Sequence, residues 1–284
     1  MKTPMNELQV TGLYVYPVKS MKGISLDEAV LTAKGLLHDR VWMIVRPDGR
    51  FVTQRGLPRL ALVVTHLDDR GVTLSMAGHG SIAIPFNSGG GDAVATQVWG
   101  DACETVDEGP EVSRWLTRAL DSPETLRMVR MAAGFRRPQN TPERFGADTT
   151  THFADSAPFL VANEASLAEL NRELVAGGHE AVPMNRFRPN IVVKGLEPFA
   201  EHRARELASE DWRLSLIDAC ERCLVTTIDQ QTALRNPDRE PYLTLRRINP
   251  VPGPKPAPGF AQNATLSAGE GRRIALGSAL TAAW

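Results

Sequence analysis

Short runs of alternating apolar and polar residues fill the first third of the chain. Residues 10–18 (VTGLYVYPV) are rich in β-branched and aromatic side chains and predict a strand, as do residues 26–32. Residues 41–46 and 50–54 flank Pro47-Asp48-Gly49. Asp-Gly between two apolar runs predicts a hairpin, because the turn needs residues that tolerate positive φ. The runs 60–66 and 72–76 flank Asp68-Asp69-Arg70-Gly71 and predict a second hairpin. Short strands follow at 81–86 and 95–99, on either side of a Gly-rich loop at 87–92. The apolar spacing turns helical in two places. Residues 111–120 put Val112, Trp115, Leu116 and Ala119 on one face and stop at Ser122-Pro123. Residues 164–174 put Leu167, Leu170 and Leu174 on one face, with Asn163 as N-cap and Gly177-Gly178 as the stop. Strands resume at 125–131, 158–162, 190–194, 212–217, 224–228 and 273–276. The seven prolines between Pro237 and Pro258 argue against regular structure there. Many short strands with few helices predict a mainly β (α+β) fold of two barrel-like or sandwich-like units, joined near the first helix.

The 284 residues are enough for two cores. With 33 acidic and 32 basic residues, the formal charge of -1 argues against a protein that coats nucleic acid or lies on an anionic membrane. No apolar run approaches the roughly 18 residues of a spanning helix. The first ten residues, MKTPMNELQV, lack the apolar stretch of a secretory signal, and three cysteines do not make a disulfide framework. These features predict a reduced, cytoplasmic protein with no nucleic-acid partner and no membrane span.

Cys220-Glu221-Arg222-Cys223 is the sharpest chemical feature. As half of a zinc site it lacks partners, since the other cysteine is Cys103 and none of the six histidines stands at ligand spacing. As a redox dithiol it should open a helix, whereas Leu-Val-Thr-Thr-Ile after Cys223 reads as strand. The bland reading is two small, half-buried core residues. In a fourth reading one thiolate, favoured by Arg222, ligates a soft metal whose other ligands come from a cofactor. Spacing alone leaves these open.

Arg127, Arg130, Arg136, Arg137 and Arg144 crowd one stretch, and Arg186 and Arg188 precede Pro189-Asn190. Such a cluster is either a solvated face or a grip for a phosphate, a carboxylate or an acidic partner. Lys19-Ser20 and Lys22-Gly23 follow the first strand, where a loop can present a cation and a hydroxyl to an anion. His38-Asp39-Arg40 lies in a loop before a strand. The P-loop, GxGxxG, GxSxG, HExxH and EF-hand patterns are absent from the sequence.

The stretch VTGLYVYPVKSMKGISLDEAVLTAKGLLHDRVWMIVRPDGRFVTQRGLPRLALV resembles the N-terminal β-barrel domain that accompanies MOSC (molybdenum cofactor sulfurase C-terminal) domains. FADSAPFLVANEASLAELN, NRFRPNIVV and ACERCLVTTID resemble the MOSC domain itself, in that order. The resemblance runs from Val10 to about Leu276 and points to the amidoxime-reducing components and their bacterial counterparts. It implies a MOSC N-terminal β-barrel domain at 5–122 and a MOSC domain at 123–284. It further implies a molybdenum ion carried by a pterin dithiolene, oxo groups and one protein thiolate. Cys223 falls on the ligating, catalytic position, and Cys220 on one not expected to bind metal. Residues matching the family's grip on the cofactor phosphate and pterin are Lys19, Ser20, Arg40, Ser156, Arg188, Asn190 and Arg222, with Gln262 and Asn263 from Phe260-Ala261-Gln262-Asn263. Pyridoxal phosphate binding is a further expectation attached to the same resemblance.

The sequence departs from the family in places. Ser156-Ala157 stands where two hydroxyl residues are common, and Glu221 where a small polar residue is common. No ferredoxin-like cysteine run follows the MOSC-like part, so electrons are expected from a separate donor protein of flavin reductase, ferredoxin or cytochrome type. The implied activity is that of a molybdenum cofactor-dependent oxidoreductase reducing amidoximes, hydroxylamines or N-hydroxylated bases to amines. Two other readings stay open. One is a carrier or binding protein for the molybdenum cofactor without turnover, and the other is sulfur transfer through a Cys223 persulfide.

Overall fold

Strand pairing crosses the middle of the chain in both directions. The computed structural model describes residues 8–87, 91–137, 139 and 141–284. Among these, the strands form one nine-stranded sheet and three smaller ones. Along the large sheet the order is Thr281–Ala283, Glu206–Ala208, Arg213–Glu221, Ala257–Ala268, Phe159–Asn163, Ile191–Lys194, Gln9–Val15, Ile24–Ser25, with Pro250–Val251 off this path beside Ala257–Ala268. The chain's first described strand is thus an antiparallel partner of Ile191–Lys194, and Glu28–Thr32 pairs with Arg273–Ala275. In return Arg127–Met131, beyond residue 122, lies between Trp42–Val45 and Asp101–Asp107. The apolar clusters follow the same weave. Val10, Leu13, Leu31 and Leu36 pack with Phe159, Ile191, Leu214 and Ile274, whereas Trp42, Ile44 and Leu74 pack under Trp115 and Leu116 together with Met128. The fold is mainly β with few helices, as expected, and residue 122 is spanned by paired strands.

Local chemistry accounts for the elements that hold the cleft. Asp48 Oδ1 accepts from the Arg50 N–H at 3.1 Å and Gly49 takes φ 80°, closing the first hairpin; Asp68 Oδ1 does the same for Arg70 and Gly71 in the second. Asn163 Oδ1 accepts from the Ala165 N–H at 3.2 Å and starts the helix Glu164–Ala176, whose Leu170 and Leu174 are buried. That helix connects Phe159–Asn163 to the parallel strand Ile191–Lys194.

Several elements differ from expectation. The run at 60–66 opens with a 3-10 turn, Pro58–Leu62, and becomes strand from Val64. A strand not foreseen, Asp101–Asp107, follows Ala93–Val98 after a two-residue turn. Residues 224–228 are not a strand but the 3-10 turn Leu224–Thr227. The threonine hydroxyls donate back to the Cys223 carbonyl (3.0 Å) and the Leu224 carbonyl (2.8 Å), which lets a β-branched run turn. The proline-rich segment holds the helix Tyr242–Ile248 and the start of the long strand Ala257–Ala268. Its prolines flank the helix and do not interrupt it. The expected glycine-rich loop at 87–92 falls partly on residues 88–90, outside the described residues.

Candidate active site

The end of the first strand, the loop before Trp42, the loops before Phe159 and Ile191, and the turn after Arg213–Glu221 converge on a cleft. Lys19, Ser20, Arg40, Ser156, Arg188, Asn190, Arg222, Cys223 and Asn263 all line it. Gln262, expected in the same role, does not. Successive residues on a strand face opposite ways. The Gln262 amide oxygen therefore lies 2.9 Å from His202 Nδ1, in a chain continued by Asn249 on His202 Nε2, and the residue is buried. Three non-glycine residues that line the cleft, Ser20, Arg40 and Arg188, take φ of 69°, 49° and 57°. Each such left-handed residue costs about 1–3 kcal/mol, a cost that clusters where side chains must be aimed.

The cationic wall is built around Tyr16. The Arg40 and Arg188 guanidinium groups lie 4.4 Å and 4.2 Å from its ring centre, and its hydroxyl donates to the Pro189 carbonyl at 3.1 Å. Gly23 makes room, because a Cβ there would stand 2.4 Å from a ring carbon. Arg40 pairs with buried Asp39 and reaches Asn190 Oδ1 (3.1 Å) and the Arg188 carbonyl (3.2 Å). Asn190 also receives the Leu160 N–H and donates to the Tyr14 carbonyl, so its amide ties two strands while it holds Arg40 toward the cleft. Arg188 donates to the Met21 carbonyl at 2.6 Å. Burial lowers its pKa to about 10, and pushes the Tyr16 phenol up to about 12 against the pull of both arginines.

Lys19 anchors the opposite wall. Its ammonium donates to the Phe153 carbonyl at 2.8 Å and pairs with Asp155. Burial pulls Lys19 down; Asp155 opposes that pull. Desolvation acts upward on the Asp155 carboxyl, but Lys19, the Trp99 N–H and Arg55 outweigh it and hold the carboxyl well below the usual range. Arg137 braces this loop from beneath, donating to the Ala154 carbonyl at 2.6 Å and forking onto Asp101 at 2.9 and 2.6 Å.

Arg222 and the two cysteines close the floor. Arg222 donates to the Phe187 carbonyl at 2.8 Å and to Cys220 Sγ at 2.9 Å, and its buried Nε has no partner among the described residues. Burial pushes the Cys220 thiol up, with Arg222 acting against it. Cys223 is a free, exposed thiol on the cleft. Asn263 reaches the cleft while donating to Asp218 at 2.9 Å.

The run of arginines from 127 to 144 does not form an open patch. Arg127 pairs with Asp107 at 3.0 Å, Arg130 with Glu108, and Arg144 with Asp218, while Arg136 donates to the Asp148 carbonyl at 2.9 Å. These groups tie loops together. Asp155, Arg55 and Thr53 also line the cleft and were not singled out in the sequence; the signal available was the position of Asp155 directly before Ser156. Nothing supports the pyridoxal phosphate expectation. The cleft lysine, Lys19, is already committed to Phe153 and Asp155.

His152, in the same loop, supplies a pH prediction. Burial, with Lys34 and His38 adding to it, lowers its pKa from 6.5 to about 4, and its Nδ1 is buried without a partner among the described residues. The unfolded chain therefore takes up a proton that the folded chain refuses. Stability falls as pH drops from 6.5 towards 4, by up to about 3 kcal/mol in all. His152→Gln, which does not titrate, is expected to flatten that slope in melting curves recorded at pH 7 and pH 5. An unchanged slope would assign the loss to other groups.

Residues 7–123 match the model of the MOSC N-terminal beta barrel domain and residues 148–277 that of the MOSC domain. Mitochondrial amidoxime-reducing component 1 of Homo sapiens is 36% identical over 244 residues, covering 84% of this chain and 71% of that protein. Mitochondrial amidoxime reducing component 2 of Bos taurus is 33% identical over 244 residues, with the same coverage of 84% and 71%. Molybdenum cofactor sulfurase of Bos taurus is 31% identical over 260 residues, covering 85% of this chain and 29% of that protein.

Proposed function

The chain belongs to the family that joins an N-terminal MOSC β-barrel domain to a MOSC domain and includes the amidoxime-reducing components, and on that premise we propose that it is a molybdenum cofactor-dependent oxidoreductase reducing N-hydroxylated compounds with electrons from a separate donor protein. The observation that carries this reading is Cys223, a free and exposed thiol in a cleft walled by Lys19, Arg40, Arg188 and Arg222.

The residues fit such a cofactor. Among the described residues no three His, Cys, Asp or Glu side chains converge as a metal site. A metal at Cys223 would therefore take its other ligands from a bound group, and a dithiolene is soft enough to share it with a thiolate. The orphaned Nε of Arg222 is a donor that an oxygen of the cofactor would satisfy. Arg40 and Arg188, already aimed by the Tyr16 ring and by Asn190, suit its anionic end. When bound, the cofactor supplies the two-electron reduction that cleaves N–O, and two protons complete water and the amine or amidine.

The chain's own residues set the conditions for this chemistry. Cys223 fixes and tunes the metal and does not act as a nucleophile. Asp155 stays ionised at neutral pH, so it accepts hydrogen bonds in the cleft and does not donate a proton. Tyr16 stays protonated and serves the arginines as a packing surface. Protein made in cofactor-competent cells and given a reduced dye is expected to convert benzamidoxime to benzamidine. Molybdenum-loaded protein that yields no benzamidine with any donor would overturn the reductase reading.

A further inference from the structure

At the rim of the cleft a bulky aromatic residue occupies a backbone position that suits a small polar one. Trp99 and Gly100 form the two-residue turn between Ala93–Val98 and Asp101–Asp107, where Val98 pairs with Asp101. Their φ angles are 52° and 99°. A turn with positive φ at both central residues ordinarily takes Asn-Gly or Asp-Gly, since a side chain as large as indole is strained there. The indole contributes little to any core, being 48% exposed. It is nevertheless held in one orientation. Nε1 donates to Asp155 Oδ1 at 2.8 Å, the Arg55 guanidinium lies 4.5 Å from the ring centre, and the Phe51 ring meets it edge-on at 5.2 Å. Arg55 and Asp155 both line the cleft.

Strain that no core demands, at a residue fixed by contacts to a cleft, points to a role in what enters the cleft. We propose that Trp99 and Asp155 form a recognition rim that selects planar aromatic or heteroaromatic N-hydroxylated substrates carrying an N–H donor beside the N–O group. The inference rests on the reductase reading for the reaction, but not for the binding. The exposed indole offers a surface on which a flat ring stacks. The Asp155 side chain is 63% exposed. Its Oδ1 already receives Lys19 and Trp99, and among the described residues no hydrogen bond engages Oδ2. That oxygen is the acceptor for the amino group of an amidoxime whose ring lies on Trp99. An aliphatic hydroxylamine would make neither the stack nor the full set of donors.

The test compares kcat/KM for benzamidoxime and acetamidoxime, which share the N–O chemistry and differ in the ring. Relative to wild type, the aromatic-to-aliphatic ratio is expected to fall about fivefold to tenfold in Trp99→Ala and Trp99→Asn, mainly through the KM for benzamidoxime. Trp99→Phe keeps a ring and is expected to hold the ratio within about threefold. Trp99→Asn suits the turn and is expected to melt at or above the wild-type temperature, so lost discrimination would not be a folding defect. Ratios within about twofold of wild type in both Trp99→Ala and Trp99→Asn would overturn the proposal.

A second readout needs no turnover. Titration with benzamidoxime is expected to quench a fluorescence component present in wild type and missing in Trp99→Phe. Quenching that persists at the same amplitude in Trp99→Phe would also overturn it. Loaded protein that shows the Trp99 quench yet reduces neither amidoxime leaves the rim standing and removes the reductase reading. Turnover with unchanged ratios does the reverse.

Discussion

Cys223→Ala is expected to purify with almost no molybdenum and to reduce no benzamidoxime, whereas Cys220→Ala keeps most of both. The two thiols stand three residues apart and differ in what surrounds them. Cys223 is exposed on the cleft at the start of the turn Leu224–Thr227, free to meet a ligand. Cys220 is half-buried at the end of the preceding strand, its sulfur occupied by Arg222 Nη1 at 2.9 Å. Loss of an outer partner around a metal costs about 10–100-fold in affinity, and loss of the sole protein ligand costs more. Removing Cys220 frees one Arg222 nitrogen, but the Phe187 carbonyl still holds the guanidinium. The measurement is the molybdenum-to-protein ratio of the three proteins, purified side by side. Equal metal in wild type and Cys223→Ala would remove the thiolate from the coordination shell, and the functional reading with it.

Asp39→Ala is expected to destabilise the protein by about 3–5 kcal/mol, as removing one partner of a buried ion pair does elsewhere. Asp39 is almost wholly enclosed, and burial pushes its carboxyl up against the pull of Arg40, the Tyr16 N–H and Asn190. Its Oδ1 accepts the Tyr16 backbone N–H at 2.9 Å and its Oδ2 pairs with Arg40. Truncation would orphan a buried N–H and leave a guanidinium largely without its counter-charge, in the place where Arg40 must be aimed. Asp39→Asn preserves an acceptor for Tyr16 and is expected to cost less. Guanidinium unfolding curves give the stability change, and the molybdenum ratio shows whether the cationic wall survives. A midpoint unchanged in Asp39→Ala would mean that Arg40 finds its counter-charge elsewhere.

Much of the strand pattern was legible in the sequence because it is written in local chemistry. Asp48-Gly49 and Asp68-Asp69-Arg70-Gly71 close their own turns, and Asn163 caps its own helix. Part of what escaped depends on distant partners. Ala257–Ala268 lies between Arg213–Glu221 and Phe159–Asn163, and its Pro258 falls where the short strand Pro250–Val251 meets it. Proline density gave no hint that the helix Tyr242–Ile248 fits between prolines. The Leu224–Thr227 turn depends on hydroxyls bonding back to carbonyls, a choice that β-propensity does not encode.

The site shows the same division. Motif resemblance pointed to Cys223, Lys19 and the arginines, and these do share a cleft. It could not see that strand alternation turns Gln262 away from Asn263. Nor could it see that Trp99 and Asp155, far apart in the chain, meet at the rim.

The weave of the large sheet also governs how the protein is made. Gln9–Val15 leaves the ribosome well before its partner Ile191–Lys194, which emerges only after the long stretch between them has been synthesised. At about 5–20 residues per second that is a wait on the order of ten seconds or more. Through that interval an apolar strand edge is open to wrong partners. Slow nascent-chain growth, or a holding chaperone that shields this segment until Ile191–Lys194 appears, should therefore raise the soluble yield.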